Sequence, residues 1–464
     1  MVAEPARVGP QRAGYKWRDL GFVLVTWIFA LEYSLFLVRD DFADKSIKLV
    51  AVLLILFQVR ARWHAVEGRE KTLLFIFVTL LVTALVPSVI TGDPLTGIAQ
   101  WMKISLMAML LPLLLVDRDN PRKSELLLSW FVGLGVLFSI QALLAFIAVM
   151  GGLVETTEVI EVARMPDLLE VTLGPLGYAN AVRILGENVY WLRPQGWFLE
   201  PSLFGSFLLL PAFVSLGRFL RDRRPGSLLA FVVVFAALVV TASFAAYLGF
   251  IVGLFFLILS RPLVRTSGAL RYAYPVVILA AFLGVAVVLM TSSNKVSELG
   301  VAEMSEQQAM FAQVYARDSS SDSGNLLREV AKIDFYLTTI ATNPLGIGLA
   351  QTAAESELVA PNGLLYWGVA GGLPALATLL VYFGCIFYGF CHPLLMSENP
   401  VNRCLAASLI GHAIHNFSYG NWLAPYFLIH LALVCMMTRQ ERRGAQQVVS
   451  RAGPGPETNA AVVP

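Results

Sequence analysis

Charged residues are scarce in this sequence of 464 residues. Asp, Glu, Lys and Arg make up 14% of it, whereas soluble domains carry about 25%. Hydrophobic residues make up 57%, and the mean hydropathy is +0.69. A soluble surface needs more charge than this, so the composition excludes an ordinary cytosolic enzyme, a disordered chain and a secreted disulfide scaffold. The sequence therefore predicts a polytopic membrane protein.

Cysteine is rare as well, and no basic surface stands out. The four cysteines lie in or beside late apolar segments, without a C-x-x-C pair or a histidine at metal-ligand spacing: Cys385, Cys391, Cys404 and Cys435. We interpret them as buried packing residues. The net charge is +2 and the Lys and Arg residues are scattered, which argues against a nucleic-acid partner. Residues 1–18 and the apolar run after them lack a small-residue cleavage site, so the run is expected to stay as an anchor.

Apolar segments recur along the whole chain. A bilayer core about 30 Å thick calls for about 20 apolar residues per helix. By that measure the sequence predicts an all-α protein with about 12 transmembrane helices, near residues 20–38, 46–59, 72–90, 101–116, 126–150, 203–217, 227–242, 244–260, 273–291, 363–390, 404–420 and 422–438. These form one transmembrane domain over residues 1–438. Residues 439–464, rich in Gly, Pro and Ala after Arg443, are predicted to be a disordered cytoplasmic tail.

The Lys and Arg residues are concentrated in alternate loops. Because positive charge is retained on the cytoplasmic side, this distribution predicts that both the N-terminus and the C-terminus lie inside. Two long connections, about 151–202 and 292–362, then fall on the outer face. Loops of this length are usually functional or disordered, and we expect the functional site there.

The first long loop ends in Arg193-Pro-Gln-Gly-Trp-Phe-Leu-Glu200-Pro201-Ser, directly before a predicted helix. An arginine and a glutamate at a membrane boundary are costly to desolvate, so they are expected to face water or each other. In one interpretation they form a helix-capping ion pair, with Glu200 near the positive end of the helix dipole and Pro201 in the first turn. In the other, Arg193 binds an anion and Glu200 accepts a proton from a hydroxyl.

The second long loop places Arg328, Lys332 and Tyr336 four residues apart. This spacing predicts two cations and a phenol on one helix face. The helix is expected to end at Asn343-Pro344-Leu-Gly. An interfacial helix whose cations reach lipid headgroups shows the same pattern, and that interpretation stays open.

Together, these features resemble the O-antigen ligase and Wzy-type O-antigen polymerase superfamily. The resemblance covers about residues 180–390 and rests on R-x-x-G-x-F-x-E-P-S before one helix, then on an arginine upstream of P-L-G-x-G and a Gly-rich helix start at Tyr366. It implies a GT-C-like glycosyltransferase of the bacterial inner membrane that acts on undecaprenyl-pyrophosphate-linked oligosaccharides at the periplasmic face. It further implies a transfer that needs no metal or cofactor, and it allows a chain-length regulator as an additional partner.

The resemblance also assigns residues. Arg193 matches the family's first-loop arginine, and Arg328 matches the arginine before the Pro-Leu-x-Gly turn; both are expected to bind the pyrophosphate leaving group. Glu200 is the first candidate for the base. The residues expected to bind substrate are Trp197, Lys332, Tyr336 and Asn362. Aromatic residues at this depth also occur as interfacial belts, which is an alternative role for Trp197.

Departures from the family pattern favour a polymerase over a ligase. Ligases usually carry Ser-Arg where this chain has Ser243-Phe244, and His-Asn where it has Pro361-Asn362. Glu-Pro-Ser at residues 200–202 is similar to the polymerases. Another His-Asn pair, His415-Asn416, lies near the end of the eleventh predicted helix, and His415 is a second candidate for the base, although a packing role is an alternative. A ligase remains the nearest alternative function; a transporter or flippase is less favoured, because no repeat is found and few ionisable residues lie in the spans.

Overall fold

The structure, a computed structural model, describes residues 63, 66–90, 93–108, 110–116, 121–150, 178–183, 190–194, 198, 201–260, 336–349, 352, 363–419 and 424–451. Its α-helices are α1 (Gly68–Ile90), α2 (Pro94–Ala108), α3 (Leu110–Val116), α4 (Pro121–Met150), α5 (Pro201–Asp222), α6 (Pro225–Val240), α7 (Phe244–Leu259), α8 (Gly363–Ile386), α9 (His392–Leu395), α10 (Pro400–Tyr419) and α11 (Pro425–Arg451). Residues 336–342 form a further helical segment.

In the described part of the chain, four helices are long and apolar enough to cross a membrane: Gly68–Ile90, Ser124–Ile147, Pro201–Asp222 and Gly363–Leu395. Large apolar side chains on two of them point outward, with Phe75 of α1 72% exposed and Leu144 of α4 63% exposed. Apolar surface of this kind marks contact with lipid or another protein. The described part of the chain is therefore a helical bundle in which several helices suit a bilayer.

Helix α5 lies at the centre of the bundle. Its residues 201–217 are all buried, and it packs against α4, α6, α7 and α10, as expected of a helix with apolar side chains all around it. Helices α7 and α10 approach closely at Gly249 and Gly411. A Cβ atom on Gly249 would lie 2.5 Å from the carbonyl oxygen of Gly411, so a side chain there would separate the two backbones. Small residues allow this kind of contact between membrane helices.

Charged groups of α1 and α11 meet at one end of the bundle. Arg439 Nε lies 3.0 Å from Glu67 Oε1, and the same guanidinium pairs with Glu70. Nearby, Gln440 Nε2 donates to Ser124 Oγ at 2.9 Å and ties α11 to the start of α4. We call Glu67, Glu70 and Arg439 the charged end. It joins segments that the Lys and Arg distribution predicts to be cytoplasmic.

A short π-helix interrupts the chain between α8 and α9. It spans Phe387–Cys391. A π turn shifts the hydrogen-bond ladder and leaves carbonyl groups available to other donors. Two side chains of α11 use them: Thr438 Oγ1 donates to Phe390 O at 3.1 Å, and Arg442 Nη2 donates to Gly389 O at 2.8 Å.

Two antiparallel strands precede α5, and the sequence pattern did not predict them. They are β1 (Tyr178–Arg183) and β2 (Tyr190–Pro194). The pairing places Asn180 opposite Arg193, with a register shift next to Tyr178. Strand β2 packs against α4. The hairpin is part of the first long loop, and through β2 it packs against the bundle.

Several predicted helices are confirmed as helices. The predicted segments at 72–90, 126–150, 203–217, 227–242, 244–260, 363–390, 404–420 and 422–438 overlap α1, α4, α5, α6, α7, α8, α10 and α11, and the segment at 101–116 overlaps α2 and α3. The segments at 20–38, 46–59 and 273–291 lie outside the described residues. A count of about 12 transmembrane helices stays a prediction.

The last helix continues past the boundary predicted for the tail. A disordered tail was expected from residue 439, whereas α11 runs to Arg451. The reason is that Arg439 pairs with Glu67 and Glu70, and Arg442 bonds to Gly389 O. These contacts fix the first turns beyond the apolar segment, and the helix continues from them.

Candidate functional site

Four polar residues from three helices meet inside the bundle, near the end of α10 that lies away from the contact of Asn402 with Glu441 of α11. Ser202 lies in the first turn of α5, Ser243 is the N-cap of α7, and His415 and Asn416 lie in the last turn of α10. All four are buried. We call them the serine–histidine cluster.

Hydrogen bonds connect the members of this cluster. Ser202 Oγ lies 3.0 Å from His415 Nε2, and Ser243 Oγ donates to Ser202 Oγ at 3.3 Å. On the other side of the ring, His415 Nδ1 lies 3.4 Å from Asn416 Oδ1. A hydroxyl and an imidazole within 3.0 Å are close enough to exchange a proton.

Local sequence explains why these side chains face one another. Pro201 suits the first position of a helix, because the missing N–H would have no partner there. Ser243 accepts from the backbone N–H of Ala246 at 3.4 Å, which is the N-cap interaction favoured for serine. The cluster therefore combines two helix starts with one helix end, because α5 and α7 run in one direction from it and α10 runs toward it.

A second polar group lies deeper, between α10 and α11. His412 Nδ1 is 3.2 Å from His430 Nδ1, and His430 Nε2 is 2.8 Å from Ser408 Oγ and 3.3 Å from Leu405 O. The ring of Tyr426 stacks on that of His412, with centroids 5.3 Å apart and planes within 3°. We call His412 and His430 the histidine pair.

The P-L-G-x-G segment packs against the Gly-rich part of α8. Three backbone hydrogen bonds join them: Ile347 N to Val369 O at 2.9 Å, Gly348 N to Ala370 O at 3.0 Å, and Leu373 N to Pro344 O at 2.9 Å. Gly346 and Gly372 have φ angles of 88° and 69°, a region that favours glycine. A Cβ atom on Gly346 would lie 2.5 Å from Ala370 O. The two glycines thus allow a close backbone contact, which we call the glycine contact.

The structure describes three of the predicted site residues. Arg193 lies in β2, Tyr336 lies in the helical segment 336–342, and His415 belongs to the serine–histidine cluster. The other five lie outside the described residues: Trp197, Glu200, Arg328, Lys332 and Asn362.

Tyr336 is buried where its segment meets α8. It is 1% exposed and packs in a cluster with Ile340, Ile347 and Val369. The helical segment ends before Asn343, at the position where the Asn-Pro step predicts a break. Tyr336 therefore lies next to the glycine contact, and its role in binding substrate stays a prediction.

Sequence reasoning missed Ser202, Ser243 and His430 as members of polar clusters. A usable signal existed for His430, because an ionisable residue within an apolar segment is a functional candidate by default. Ser202 and Ser243 were noted only as parts of sequence motifs, and because serine is common at helix starts irrespective of function, those motifs did not predict that the two hydroxyls meet. The packing of α5, α7 and α10 brings them together.

Among the described residues, no group of three or more His, Cys, Asp and Glu side chains is placed to hold a metal ion. No family model matches this chain, and neither does any curated protein. The described fold defines a helical bundle with several helices suited to a membrane, and the site within it is a hydroxyl–imidazole cluster.

Proposed function

We propose that this chain is a membrane glycosyltransferase, a polymerase that transfers an undecaprenyl-pyrophosphate-linked glycan onto a second lipid-linked repeat unit. The proposed location is the periplasmic face of the bacterial inner membrane, with both termini cytoplasmic. One observation carries the proposal: Ser202, of the Glu-Pro-Ser motif before α5, lies 3.0 Å from His415, a candidate base 213 residues later. Two segments singled out independently in the sequence therefore meet at one place.

The glycine contact supports the same proposal. Pro344-Leu-Gly-Ile-Gly348 and the Gly-rich start of α8 are both part of the family resemblance, and three backbone hydrogen bonds join them. The two parts of the sequence pattern are thus in contact in the structure. A shared structural role explains this contact better than a chance similarity of two separate segments.

The chemistry needs two kinds of group. As the bond from the sugar C1 to the pyrophosphate oxygen breaks, negative charge develops on the leaving group, and Arg193 and Arg328 are the proposed bidentate donors to it. The acceptor hydroxyl oxygen forms the new bond to C1 and loses its proton to a base. Glu200 and His415 are the candidates, because a carboxylate or an imidazole in hydrogen-bond reach can take that proton.

Reconstitution of the full chain with an undecaprenyl-pyrophosphate oligosaccharide tests the proposal. The wild type is expected to lengthen the glycan and release undecaprenyl pyrophosphate. Arg193→Ala is expected to lower the rate by about 10²–10³-fold, and Arg193→Lys not to restore it, since lysine lacks the planar fork. Arg183→Ala is the matched control, because Arg183 lies on the opposite strand of the same hairpin. Wild-type rates in Arg193→Ala would overturn the assignment of Arg193.

The acceptor distinguishes the nearest alternative, a ligase. That alternative is favoured by one observation, the placement of the His415-Asn416 pair within the serine–histidine cluster. In the same assay a ligase would transfer glycan to a lipid A core acceptor and would not lengthen lipid-linked repeats. A flippase would move the lipid-linked glycan across the bilayer and leave the bond to C1 intact.

A further inference from the structure

The hydrogen bonds around His430 favour one position for its proton. Leu405 O can only accept, and Ser408 Oγ lies within donating distance of it at 2.9 Å. With the Ser408 hydrogen on that bond, His430 Nε2, 2.8 Å from Ser408 Oγ and 3.3 Å from Leu405 O, satisfies both contacts as an N–H donor, and we assign its hydrogen there. A neutral imidazole carries only one N–H, so His430 Nδ1 is an acceptor. The neutral form applies because the ring is buried and its described contacts include no carboxylate.

The same reasoning then fixes His412. Its Nδ1 lies 3.2 Å from the accepting Nδ1 of His430, so it must be the donor. The neutral ring of His412 consequently has a bare nitrogen at Nε2. This atom is buried and has no hydrogen-bond partner among the described residues.

A donor with the same property lies one helical turn away. Asn416 is buried, and its Oδ1 faces His415 Nδ1. Its Nδ2 has no partner in the described part of the chain. Residues 412 and 416 are four apart in α10 and share one face of it. Most buried polar groups are paired, so an acceptor and a donor left open together indicate a bound group that satisfies both.

We propose that His412 and Asn416 form a subsite for one hydroxyl group of a saccharide. A hydroxyl matches both atoms, in the place that a water molecule fills when no ligand is bound, because it donates one hydrogen bond and accepts others: its O–H points to His412 Nε2, and its oxygen accepts from Asn416 Nδ2. The stacked ring of Tyr426 and the hydrogen bond to His430 hold His412 in place.

This inference rests on the proposed glycosyltransferase and names one component of its reaction. The hydroxyl in the subsite is that of the acceptor sugar. Its oxygen bonds to C1 of the donor sugar, the bond from C1 to the pyrophosphate oxygen breaks, and the proton goes to His412 Nε2. His412 is then the base, in place of the two earlier candidates, Glu200 and His415. Among the described residues, the titratable groups that face His412 are His415 on the same helix, and Tyr426 and His430 on α11.

Nitrogen NMR of the full chain in nanodiscs, with ¹⁵N-labelled histidine, tests the subsite directly. The chain has five histidines, and single His→Gln variants assign their signals. We expect His430 to carry its proton on Nε2 and His412 on Nδ1. Glycerol, the hydroxyl probe, is expected to shift the His412 Nε2 signal, whereas dimethoxyethane, an ether without O–H groups, is not. Asn416→Ala is expected to remove the glycerol shift while the tautomer of His412 is unchanged.

Activity gives a second measurement. With the lipid-linked substrate, His412→Gln is expected to lower the transfer rate by about 10²-fold or more, because the amide cannot take the proton. His392→Gln is the control, since His392 is an exposed residue of α9. In Asn416→Ala the base remains, so the pH dependence of the rate is expected to keep its shape while the apparent affinity for the acceptor falls.

The outcomes separate the two proposals. A proton on His412 Nε2, or a His412 signal that glycerol does not move, would overturn the subsite whether or not the protein transfers glycan. The expected tautomers and glycerol shift, found in a protein that transfers no glycan, would overturn the proposed function and leave the hydroxyl subsite standing. Wild-type transfer in a folded His412→Gln variant would overturn the assignment of His412 as the base.

Discussion

The two ends of the helical bundle satisfy their buried polar groups in different ways. At the charged end, Arg439 is 4% exposed and Glu70 is 2% exposed, and each neutralises the other. At the serine–histidine cluster, hydroxyl, imidazole and amide groups are joined by hydrogen bonds. No carboxylate or guanidinium of the described residues takes part in these bonds. The same fold therefore holds one end by charge and the other by neutral polar contacts.

This difference has an energetic consequence. Removing one partner of a buried ion pair leaves an uncompensated charge, which costs several kcal/mol. Removing one partner of a neutral hydrogen bond typically costs about 0.5–1.5 kcal/mol. We infer that the charged end fixes the positions of α1 and α11, whereas groups in the cluster can exchange partners at small cost.

The largest expected effect is at the charged end. Among the described residues, Glu70→Ala leaves Arg439 with the partly exposed Glu67 as its carboxylate partner, and the free energy of unfolding is expected to fall by about 3–5 kcal/mol. Unfolding in mixed micelles measures it. Replacing both partners, in Glu70→Ala with Arg439→Met, is expected to recover part of the loss.

A surface pair provides the control for that experiment. Arg443 is 51% exposed and lies 3.7 Å from Glu67, so Arg443→Ala is expected to cost about 0–1 kcal/mol. Equal losses in Glu70→Ala and Arg443→Ala would contradict the view that buried charge holds this end of the bundle.

An intermediate effect is expected at the glycine contact. In Gly372→Ala, the new Cβ would lie 2.5 Å from the carbonyl carbon of Leu345, and the φ angle of 69° disfavours alanine. We expect a loss of about 2–4 kcal/mol in the free energy of unfolding. Gly384→Ala in the same helix is the matched control, because no atom lies within 4 Å of the added Cβ. If the control were as destabilised as Gly372→Ala, the close backbone contact would not be the cause.

The smallest expected effect is within the serine–histidine cluster. Ser202→Ala removes the contact to His415 and is expected to lower the free energy of unfolding by about 1 kcal/mol. Ser206, one turn along α5, is buried and its Oγ has no partner among the described residues, so Ser206→Ala is expected to be neutral or slightly stabilising.

A double-mutant cycle sharpens this measurement. Ser202→Ala and His415→Ala, alone and combined, are expected to give a coupling energy of about 0.5–1.5 kcal/mol. Additive losses would mean that the two side chains do not interact. The view that neutral hydrogen bonds hold this end of the bundle would then be contradicted.

The apolar pattern of the sequence predicted most of the described fold. Segments such as 72–90 and 126–150 became α1 and α4 because long apolar runs must bury or face lipid along a whole helix. The break at Asn343-Pro344 was predictable because proline restricts the residue before it. Hairpin β1–β2 was missed: its strands are five and six residues long, and their pairing depends on contacts with each other and with α4 rather than on a strong local pattern.

The candidate site was predictable only in part. His415 was identified because it forms a His-Asn pair with Asn416 near the end of an apolar segment, where polar residues are enriched for function. Its contact with Ser202 was not, since the two residues are 213 positions apart and meet through helix packing. The tautomer of His412 depends on Leu405, Ser408 and His430 together, and no linear pattern encodes the direction of a hydrogen bond across two helices.

The π-helix at Phe387–Cys391 has a consequence for evolution and engineering. An α-helix turns by about 100° per residue, so a one-residue deletion in this segment would rotate everything that follows relative to α8 by that angle. The carbonyl groups of Gly389 and Phe390 would then be lost as acceptors for Arg442 and Thr438. Relatives of this chain are accordingly expected to keep the length of the segment constant even where its residue types vary.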